Sequence, residues 1–416
     1  MGIKAYFAFS SIFLILIPYG GEGYYKLSNM LIFVIQLVIL LIIIKGFEIT
    51  KKLKNLVLSF ALLFCVQVFS NAYVAIVVGL DFSYADLSEF IRVFQLVLPI
   101  ICLAGISSFN KKYAGVIILS IMLFSLIHAL LMLIPKFTLA LDNIVELFGE
   151  GHYYTAGYSR YRGFGIIGQP GKAGMFSVLC IMIALIHYHT FKSNKLSVIL
   201  TIIFSFVAIG LTLSRISIIL SVVVLFFLIE SRKVKVSLIV MLVLCLFSFV
   251  LTNTQLVETL IRGIDLENGK YATASHRMVL KLWALDFISQ RFDTLLIGVG
   301  DTKDYISKFT HPYAFDLSLR TPDSSQSVWL VRFGLIGVLV GYIPLVYIFI
   351  CIMCSNQPLG KKLYISIVPI LIFILSFLDP FYHDSKISIT AAILYLYIFS
   401  FLENKESIHE NSSSRP

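Results

Sequence analysis

Long apolar runs separated by short polar stretches dominate the pattern of the chain. About 20 apolar residues cross a hydrocarbon core of roughly 30 Å as a helix, and shorter runs suffice where flanking side chains reach the surface. The sequence therefore predicts an all-α polytopic membrane protein, a single integral membrane domain over residues 1–416. Its spans, about twelve, lie near residues 5–19, 30–45, 56–79, 91–106, 113–134, 172–188, 196–213, 216–230, 236–252, 327–353, 363–378 and 387–402.

Basic residues in alternate loops orient these spans, because loops rich in lysine and arginine stay in the cytoplasm. Both termini are then cytoplasmic, and the chain is expected in the bacterial cytoplasmic (inner) membrane. The two long polar stretches face the periplasm or cell exterior: a first external loop, 135–171, and a large external loop, 252–326, between helices 9 and 10. The orienting residues are Lys45, Lys51, Lys52, Lys54, Lys111, Lys112, Lys192, Lys195, Arg232, Lys233, Lys235, Lys361 and Lys362.

Composition agrees with a membrane protein. The chain is 58% hydrophobic and 13% charged, whereas a soluble globular chain carries about 25% charged residues. Its net charge of +10 arises from the orienting loops and does not indicate nucleic-acid binding. The six cysteines all lie in or at the ends of apolar runs, so the outer loops have no disulfide framework.

Most arginines fall on the predicted outer side of the membrane, whereas most lysines fall on the predicted cytoplasmic side. Orientation needs only positive charge, whereas gripping an oxyanion uses the planar, bidentate guanidinium. The sorting predicts a phosphate or carboxylate ligand on the outer face; the alternative is that arginine merely suits the longer structured loops. Apart from Arg232 and Arg415, every arginine falls outside: Arg92, Arg160, Arg162, Arg215, Arg262, Arg277, Arg291, Arg320 and Arg332.

A glycine-rich polar stretch, SRYRGFGIIGQP at 159–170, precedes the apolar run from about 172. Its glycines, among them Gly165, permit tight turns. The following helix N-terminus presents unpaired N–H groups and a partial positive charge. With Arg160, Arg162 and Lys172 nearby, the stretch predicts an anion cradle. The alternative is a re-entrant turn whose arginines reach the lipid headgroups.

The dipeptide Ser214-Arg215 is the entire connection between two predicted spans. Its guanidinium lies at the outer rim of the bundle or slightly within it. A charge at membrane depth costs at least about 2.5 kcal/mol, which makes Arg215 a functional candidate. The alternative is again a side chain that reaches the headgroups from a hairpin.

The large outer loop carries two patterned segments. Apolar residues at helical spacing in HRMVLKLWALDFISQRF (276–292) predict an amphipathic helix against the membrane or the bundle. The segment IGVGD (297–301) follows. Its two glycines either let the backbone approach another segment closely or simply turn the chain.

Several of these stretches, in this order over roughly residues 160–340, resemble bacterial O-antigen and capsular polysaccharide polymerases and ligases. RGFGIIGQPG resembles a motif that enters a helix in that family, LTLSR its Ser-Arg hairpin, HRMVLKLWAL with IGVG its large periplasmic loop, and DSSQSVWLVRFGLIG the end of that loop. Gln169 and Gly171 stand where the family usually has asparagines. The resemblance implies a GT-C-like membrane glycosyltransferase that needs neither metal nor cofactor.

The resemblance also implies a substrate and roles for individual residues. The substrates would be undecaprenyl-pyrophosphate-linked oligosaccharide repeat units on the outer leaflet, with Arg215 and Arg162 holding the pyrophosphate. Arg277 would orient the outer loop or a second lipid phosphate. The ligases carry a histidine eleven residues before the glycine matched by Gly334, where this chain has Asp323. That departure favours a polymerase over an O-antigen ligase, with Asp323 attending the acceptor hydroxyl.

Two other functional classes remain open. A lipid-linked oligosaccharide flippase has a similar number of spans, but it is expected to have charged residues lining a midplane cavity. A non-catalytic assembly protein would need a large soluble or coiled-coil region, and the sequence contains none. A chain-length-determinant protein is a candidate partner of the polymerase, and nucleic acid is not an expected partner.

Overall fold

The computed structural model describes residues 3–18, 25–43, 50–78, 84–104, 111–137, 147–148, 163–212, 214–229, 282, 285–286, 288–300, 325–378 and 384–403. Within these ranges the secondary structure is helical. Short 3₁₀ turns occupy Leu14–Leu16 and Gly165–Ile167, and α3 continues into a π-helical turn, Val74–Val78. The helices are α1 (Ile3–Phe13), α2 (Tyr25–Ile43), α3 (Lys51–Tyr73), α4 (Tyr84–Ala104), α5 (Lys111–Phe137), α6 (Pro170–Phe191), α7 (Lys195–Thr212), α8 (Arg215–Leu228), α9 (Phe292–Ile297), α10 (Ser325–Met353), α11 (Leu359–Leu378) and α12 (Ser385–Glu403).

Seven helices in the described part of the chain are long and apolar enough to cross a membrane: α3, α5, α6, α7, α10, α11 and α12. Shorter apolar helices lie within α1, α2, α4 and α8. The prediction of an all-α polytopic membrane protein is confirmed. The predicted span 236–252 lies outside the described residues.

Polar side chains mark where several of these helices begin. The Thr50 hydroxyl accepts a hydrogen bond from the Leu53 N–H at 3.4 Å, and Ser214 accepts one from the Ser217 N–H at the same distance. Such caps satisfy N–H groups that have no partner within their own helix. Ser214 is therefore the cap of α8, and Arg215 is its first helical residue.

Helices α6 and α12 form the centre of the bundle. In their apolar windows 78% of α6 and 94% of α12 is buried, so both are covered by protein on nearly all sides. Helix α6 packs against α5, α7, α8 and α12, and α12 also packs against α4. Both begin at one end of the bundle, called here the site end. Their first turns carry the buried polar groups described below.

Helix α10 folds back on itself at Gly334, whose φ of 64° and ψ of −164° are not helical. The Trp329 ring centroid lies 5.6 Å from that of Tyr342, and the Gln326 amide bonds the Tyr342 hydroxyl. In a straight helix those pairs would be about 20 and 24 Å apart, at 1.5 Å per residue. The predicted span 327–353 is thus divided: residues 325–333 pack back along the first turns of 335–353.

Candidate functional site

The glycine-rich turn, residues 163–168, lies at the site end directly before α6. Gly165 has a φ of 53° and Gly168 a φ of 81°, both in the left-handed region that favours glycine. The apolar side chains of Phe164, Ile166 and Ile167 are buried, which draws the turn into the bundle. Pro170 then opens α6 in its first turn, where a missing N–H costs nothing.

The peptide groups of Ile166 are held by two buried side chains from different helices. The Ile166 N–H donates to His128 Nδ1 at 3.0 Å, and the Lys386 ammonium donates to the Ile166 carbonyl at 2.6 Å. His128 Nε2 donates to the Ala173 carbonyl at 3.3 Å, a tautomer set by these two bonds. His128 on α5 and Lys386 on α12 are both fully buried. They fix the turn from two sides.

The tight fit explains a glycine at position 165. A Cβ added there would meet the His128 ring and the His128 carbonyl oxygen, the latter at 2.9 Å. Because the φ of Gly165 is positive, a side chain would also be strained irrespective of space. The predicted role of Gly165 in a tight turn has a concrete basis in this contact.

A buried charged cluster joins α6 to α12 beside the turn. Asp384 caps α12: its Oδ1 accepts from the backbone N–H groups of Lys386 at 3.0 Å and Ile387 at 3.3 Å. Its Oδ2 lies 4.0 Å from the Lys172 ammonium. Lys172 is 5% exposed and Asp384 is 0% exposed. Two lysines and one aspartate therefore share one buried site between α6 and α12.

Sequence reasoning missed Lys386, Asp384 and His128. Lys386 stands at the edge of an apolar run, where a lysine usually anchors a helix at the headgroups. His128 is a single histidine in an apolar helix, a pattern typical of packing. The sequence indicated only that Asp384, in Asp-Ser-Lys at the start of a predicted span, is a residue type favoured as a helix N-cap.

The Ser214-Arg215 hairpin lies against this turn. The Gly163 N–H donates to the Leu211 carbonyl at 2.9 Å. A Cβ at Gly174 would meet Ser217 and would lie 3.2 Å from the Ser214 Cβ. Gly163, which follows Arg162 in the sequence, is thus hydrogen-bonded to Leu211, which lies four positions before Arg215. The two segments that sequence analysis singled out separately share one region of the site end.

The IGVG segment of the outer loop is clasped to the fold-back of α10. The Val299 N–H donates to the Val331 carbonyl at 2.9 Å, and the Gly300 N–H donates to the Arg332 carbonyl at 2.8 Å. The Ser70 hydroxyl contacts the carbonyls of Ile297 at 2.9 Å and Arg332 at 2.8 Å. Of the two readings of these glycines, close backbone approach is the one observed. These bonds tie residues 297–300 to α3 and α10.

A salt bridge anchors the same loop one turn earlier. Asp293 accepts bonds from Arg291 Nε at 3.0 Å, Arg291 Nη2 at 2.6 Å and the Tyr73 hydroxyl at 2.7 Å. Chiefly the Arg291 guanidinium, and then Tyr73, hold the pKa of the Asp293 carboxyl at about 2, below its ordinary 3.8. A depressed carboxyl pKa stabilises the folded state above the ordinary pKa of 3.8, and that contribution is lost progressively as the pH falls from there through the folded pKa of about 2.

Asp293→Asn is expected to loosen the loop anchor. Exposed ion pairs are worth little, so amide hydrogen exchange over 294–300 should rise by about two- to fivefold. Asp286→Asn, on an exposed residue of the same loop, is the matched control and should leave exchange unchanged. In the unmutated protein, protection should be equal at about pH 5 and pH 8 after correction for intrinsic rates. If residues 294–300 exchange at the same rate in Asp293→Asn as in the unmutated protein, Asp293 does not anchor the loop.

The predicted site residues fall into three groups. Lys172 and Gly165 are described together with the atoms that surround them, and both lie at the site end. Arg215 is described as the first residue of α8, without its side chain. The remaining predicted residues lie outside the described residues: Arg160, Arg162, Arg277 and Asp323.

Comparison with known proteins gives a match for the middle of the chain, residues 200–342. No match was found among curated proteins. A family model described as O-Antigen ligase matches residues 200–342, about a third of the chain. The matched region contains the Ser214-Arg215 hairpin, the IGVG clasp and the fold-back at Gly334. Over residues 200–342, this chain is similar to membrane proteins of the O-antigen ligase family.

Proposed function

We propose that this chain is a polysaccharide polymerase of the outer leaflet of the cytoplasmic membrane. It transfers a growing glycan from undecaprenyl pyrophosphate onto a new lipid-linked repeat unit, in the synthesis of O-antigen, capsule or exopolysaccharide. The similarity of residues 200–342 to the O-antigen ligase family supports a transfer reaction of this general type. Both termini are cytoplasmic in this proposal, and the site end faces the periplasm or cell exterior.

The observation that carries the proposal is the bond between the glycine-rich turn and the Ser214-Arg215 hairpin. The Gly163 N–H donates to the Leu211 carbonyl at 2.9 Å, so the residue after Arg162 lies beside the end of α7, four positions before Arg215. Lys172 and the N-termini of α6 and α8 add positive potential there. A site of this charge suits a pyrophosphate.

The reaction needs stabilisation of the leaving group more than any other assistance. The acceptor hydroxyl attacks the anomeric carbon of the growing chain, and the bond from that carbon to the pyrophosphate breaks with its electron pair leaving on the phosphate oxygen. Arg215 and Arg162 stabilise this charge, and Arg160 and Lys172 contribute further positive charge to substrate binding. Neither a metal nor a cofactor is required in this scheme.

Asp323 accepts the proton of the acceptor hydroxyl as the new glycosidic bond forms. It occupies the position at which the resembled ligases carry a histidine, which favours the polymerase over an O-antigen ligase. Arg277 orients the outer loop or holds a second lipid phosphate. A chain-length-determinant protein is the expected partner in the membrane.

Reconstituted protein is expected to lengthen glycans without any other energy source. Proteoliposomes would be given undecaprenyl-pyrophosphate-linked repeat units in excess EDTA, with no nucleotide sugar, and products separated by gel electrophoresis. Ladders of increasing length, with one undecaprenyl pyrophosphate released per step, are expected. Loss of the ladder on chelation and its recovery with one metal would contradict the metal-independent scheme.

The same assay separates the alternative functions. A ligase would elongate nothing and would transfer preformed glycan only to an added lipid A–core acceptor. A flippase would move repeat units across the bilayer without joining them. Units linked through a monophosphate serve as the matched control, because they offer one phosphate fewer to the arginines and should be poor donors.

A further inference from the structure

Lys386 is a fully buried cation in the first turn of α12, the most buried helix of the bundle. Charged groups at membrane depth are costly and concentrate at functional sites. Replacing a buried ion pair with apolar side chains is often neutral or stabilising. A lysine at this position is therefore a candidate for a functional role.

The contacts of Lys386 point to the glycine-rich turn. Its ammonium lies 2.6 Å from the Ile166 carbonyl and 5.5 Å from the centre of the Phe148 ring. Asp384, whose carboxylate caps the same helix turn, compensates its charge. Lys386 is 220 positions from Ile166 in the sequence, so the bond connects the last described helix to the segment before α6.

The turn is held so that it has little freedom to rotate. His128 binds the N–H of Ile166, Lys386 binds its carbonyl, and the ring of His128 leaves no room for a side chain at Gly165. Gly163 is bonded in addition to Leu211 on α7. These contacts fix Gly163, the residue that directly follows Arg162 in the sequence.

We propose that Lys386 is a positioning residue for pyrophosphate binding. By bonding the carbonyl of Ile166 it fixes the glycine-rich turn, residues 163–168, which directly follows Arg162 in the sequence. This inference rests on the proposed function, in which Arg162 binds the pyrophosphate. Misplacement of a binding group by about 1 Å can cost about a hundredfold in rate, so a distant lysine can control turnover without touching the substrate.

Lys386→Met tests this directly, since Met keeps a long, flexible side chain but lacks the charge and the donor. Polymerisation in proteoliposomes should fall by about ten- to a hundredfold at equal protein. Thr390→Val is the matched control: Thr390 is fully buried one turn along α12 and bonds only its own helix at the Lys386 carbonyl. It should polymerise at the unmutated rate.

Combination with Arg162→Ala separates positioning from general stability. If Lys386 acts through Arg162, Lys386→Met should slow the Arg162→Ala protein by less than about twofold, because coupled residues are not additive. A second full loss of ten- to a hundredfold would overturn the inference. If Arg162→Ala alone has no effect, the proposed function fails; if Arg162→Ala is slow and Lys386→Met is not, only this inference fails.

A measurement without catalysis gives a second readout. Ser159→Cys supplies a thiol three residues before Arg162, and its rate of reaction with a membrane-impermeant maleimide reports the surroundings of the segment. Lys386→Met should change that rate by at least about threefold, while Thr390→Val should not. An unchanged rate would contradict positioning.

If Lys386→Met lowers the amount of protein in the membrane, Gly165→Ala is a second way to displace the glycine-rich turn. It acts on the side of the turn that faces His128. Its methyl group meets the ring of His128, and the variant keeps Lys386, Asp384 and Lys172 in the chain. It should reproduce the loss of polymerisation and the changed labelling. Normal polymerisation by Gly165→Ala would overturn the inference.

Discussion

Arg215→Ala and Arg162→Ala should each slow polymerisation by about ten- to a hundredfold. A charge-assisted hydrogen bond to an ion is worth roughly 1.5–3 kcal/mol, and about 1.36 kcal/mol corresponds to a factor of ten in rate. Lysine keeps the charge but lacks the bidentate fork, so Arg→Lys at either position should be impaired as well. Ladder formation at matched membrane abundance measures the effect in all four variants.

Arg232→Lys is the matched control for these substitutions. Arg232 belongs to the loops predicted in the cytoplasm, where only its charge contributes to orientation, so the change should be silent. If Arg215 and Arg162 merely reach the headgroups, their lysine variants should polymerise like the unmutated protein. That result would eliminate the pyrophosphate clamp, whereas low abundance of the alanine variants alone would indicate a structural role.

Gly298→Ala and Gly334→Ala should have the largest effects on stability. Gly298 has a φ of 82° and a ψ of −168°, and Gly334 has 64° and −164°, a region open essentially only to glycine. A side chain there costs about 1–3 kcal/mol. A Cβ on Gly298 would meet the backbone of Arg332 and Phe333, and one on Gly334 the backbone of Leu296 and Ile297. Thermal unfolding in detergent should show a lower midpoint for each variant.

The two glycine variants should also not be additive. Once either methyl group has separated the IGVG segment from the fold-back, the second has little left to disrupt. Gly210→Ala and Gly360→Ala are the controls, since a Cβ at either position meets nothing within 4 Å. Both lie in helices, where alanine is favoured over glycine by roughly 0.5–1 kcal/mol. A midpoint unchanged in Gly334→Ala would mean that the clasp is absent.

Much of the fold could be predicted because the bilayer restricts what a chain can do. Backbone polar groups in hydrocarbon must be satisfied within the segment, so a run of about 20 apolar residues has to be a helix. The bounds of α6, Pro170–Phe191, and of α7, Lys195–Thr212, accordingly lie close to the predicted spans. Helix α10 was the exception. A nine-residue segment folded back beside its own helix is as apolar as a continuation of it, and the hydropathy pattern is the same in both cases.

The predicted site shows the same division. The sequence contained the arginines, the glycine-rich stretch and the Ser-Arg hairpin as local patterns, whereas their predicted role in anion binding stays a prediction. It did not contain the partners of the turn. Lys386 lies 220 positions from Ile166 in the sequence, and His128 lies 38 positions from it. Neither residue belongs to a local sequence pattern that predicts a hydrogen bond to the turn.

The sequence by itself determined the helical membrane fold, the order of the spans and the residue types available for binding an anion. These follow from local hydropathy, which acts on each segment independently of the others. Only the tertiary structure decided that Lys386 and His128 hold the backbone of Ile166, and that Gly298 lies against the backbone of Arg332 and Phe333. Such contacts depend on which helices become neighbours, and that is set by the packing of the whole bundle around α6 and α12.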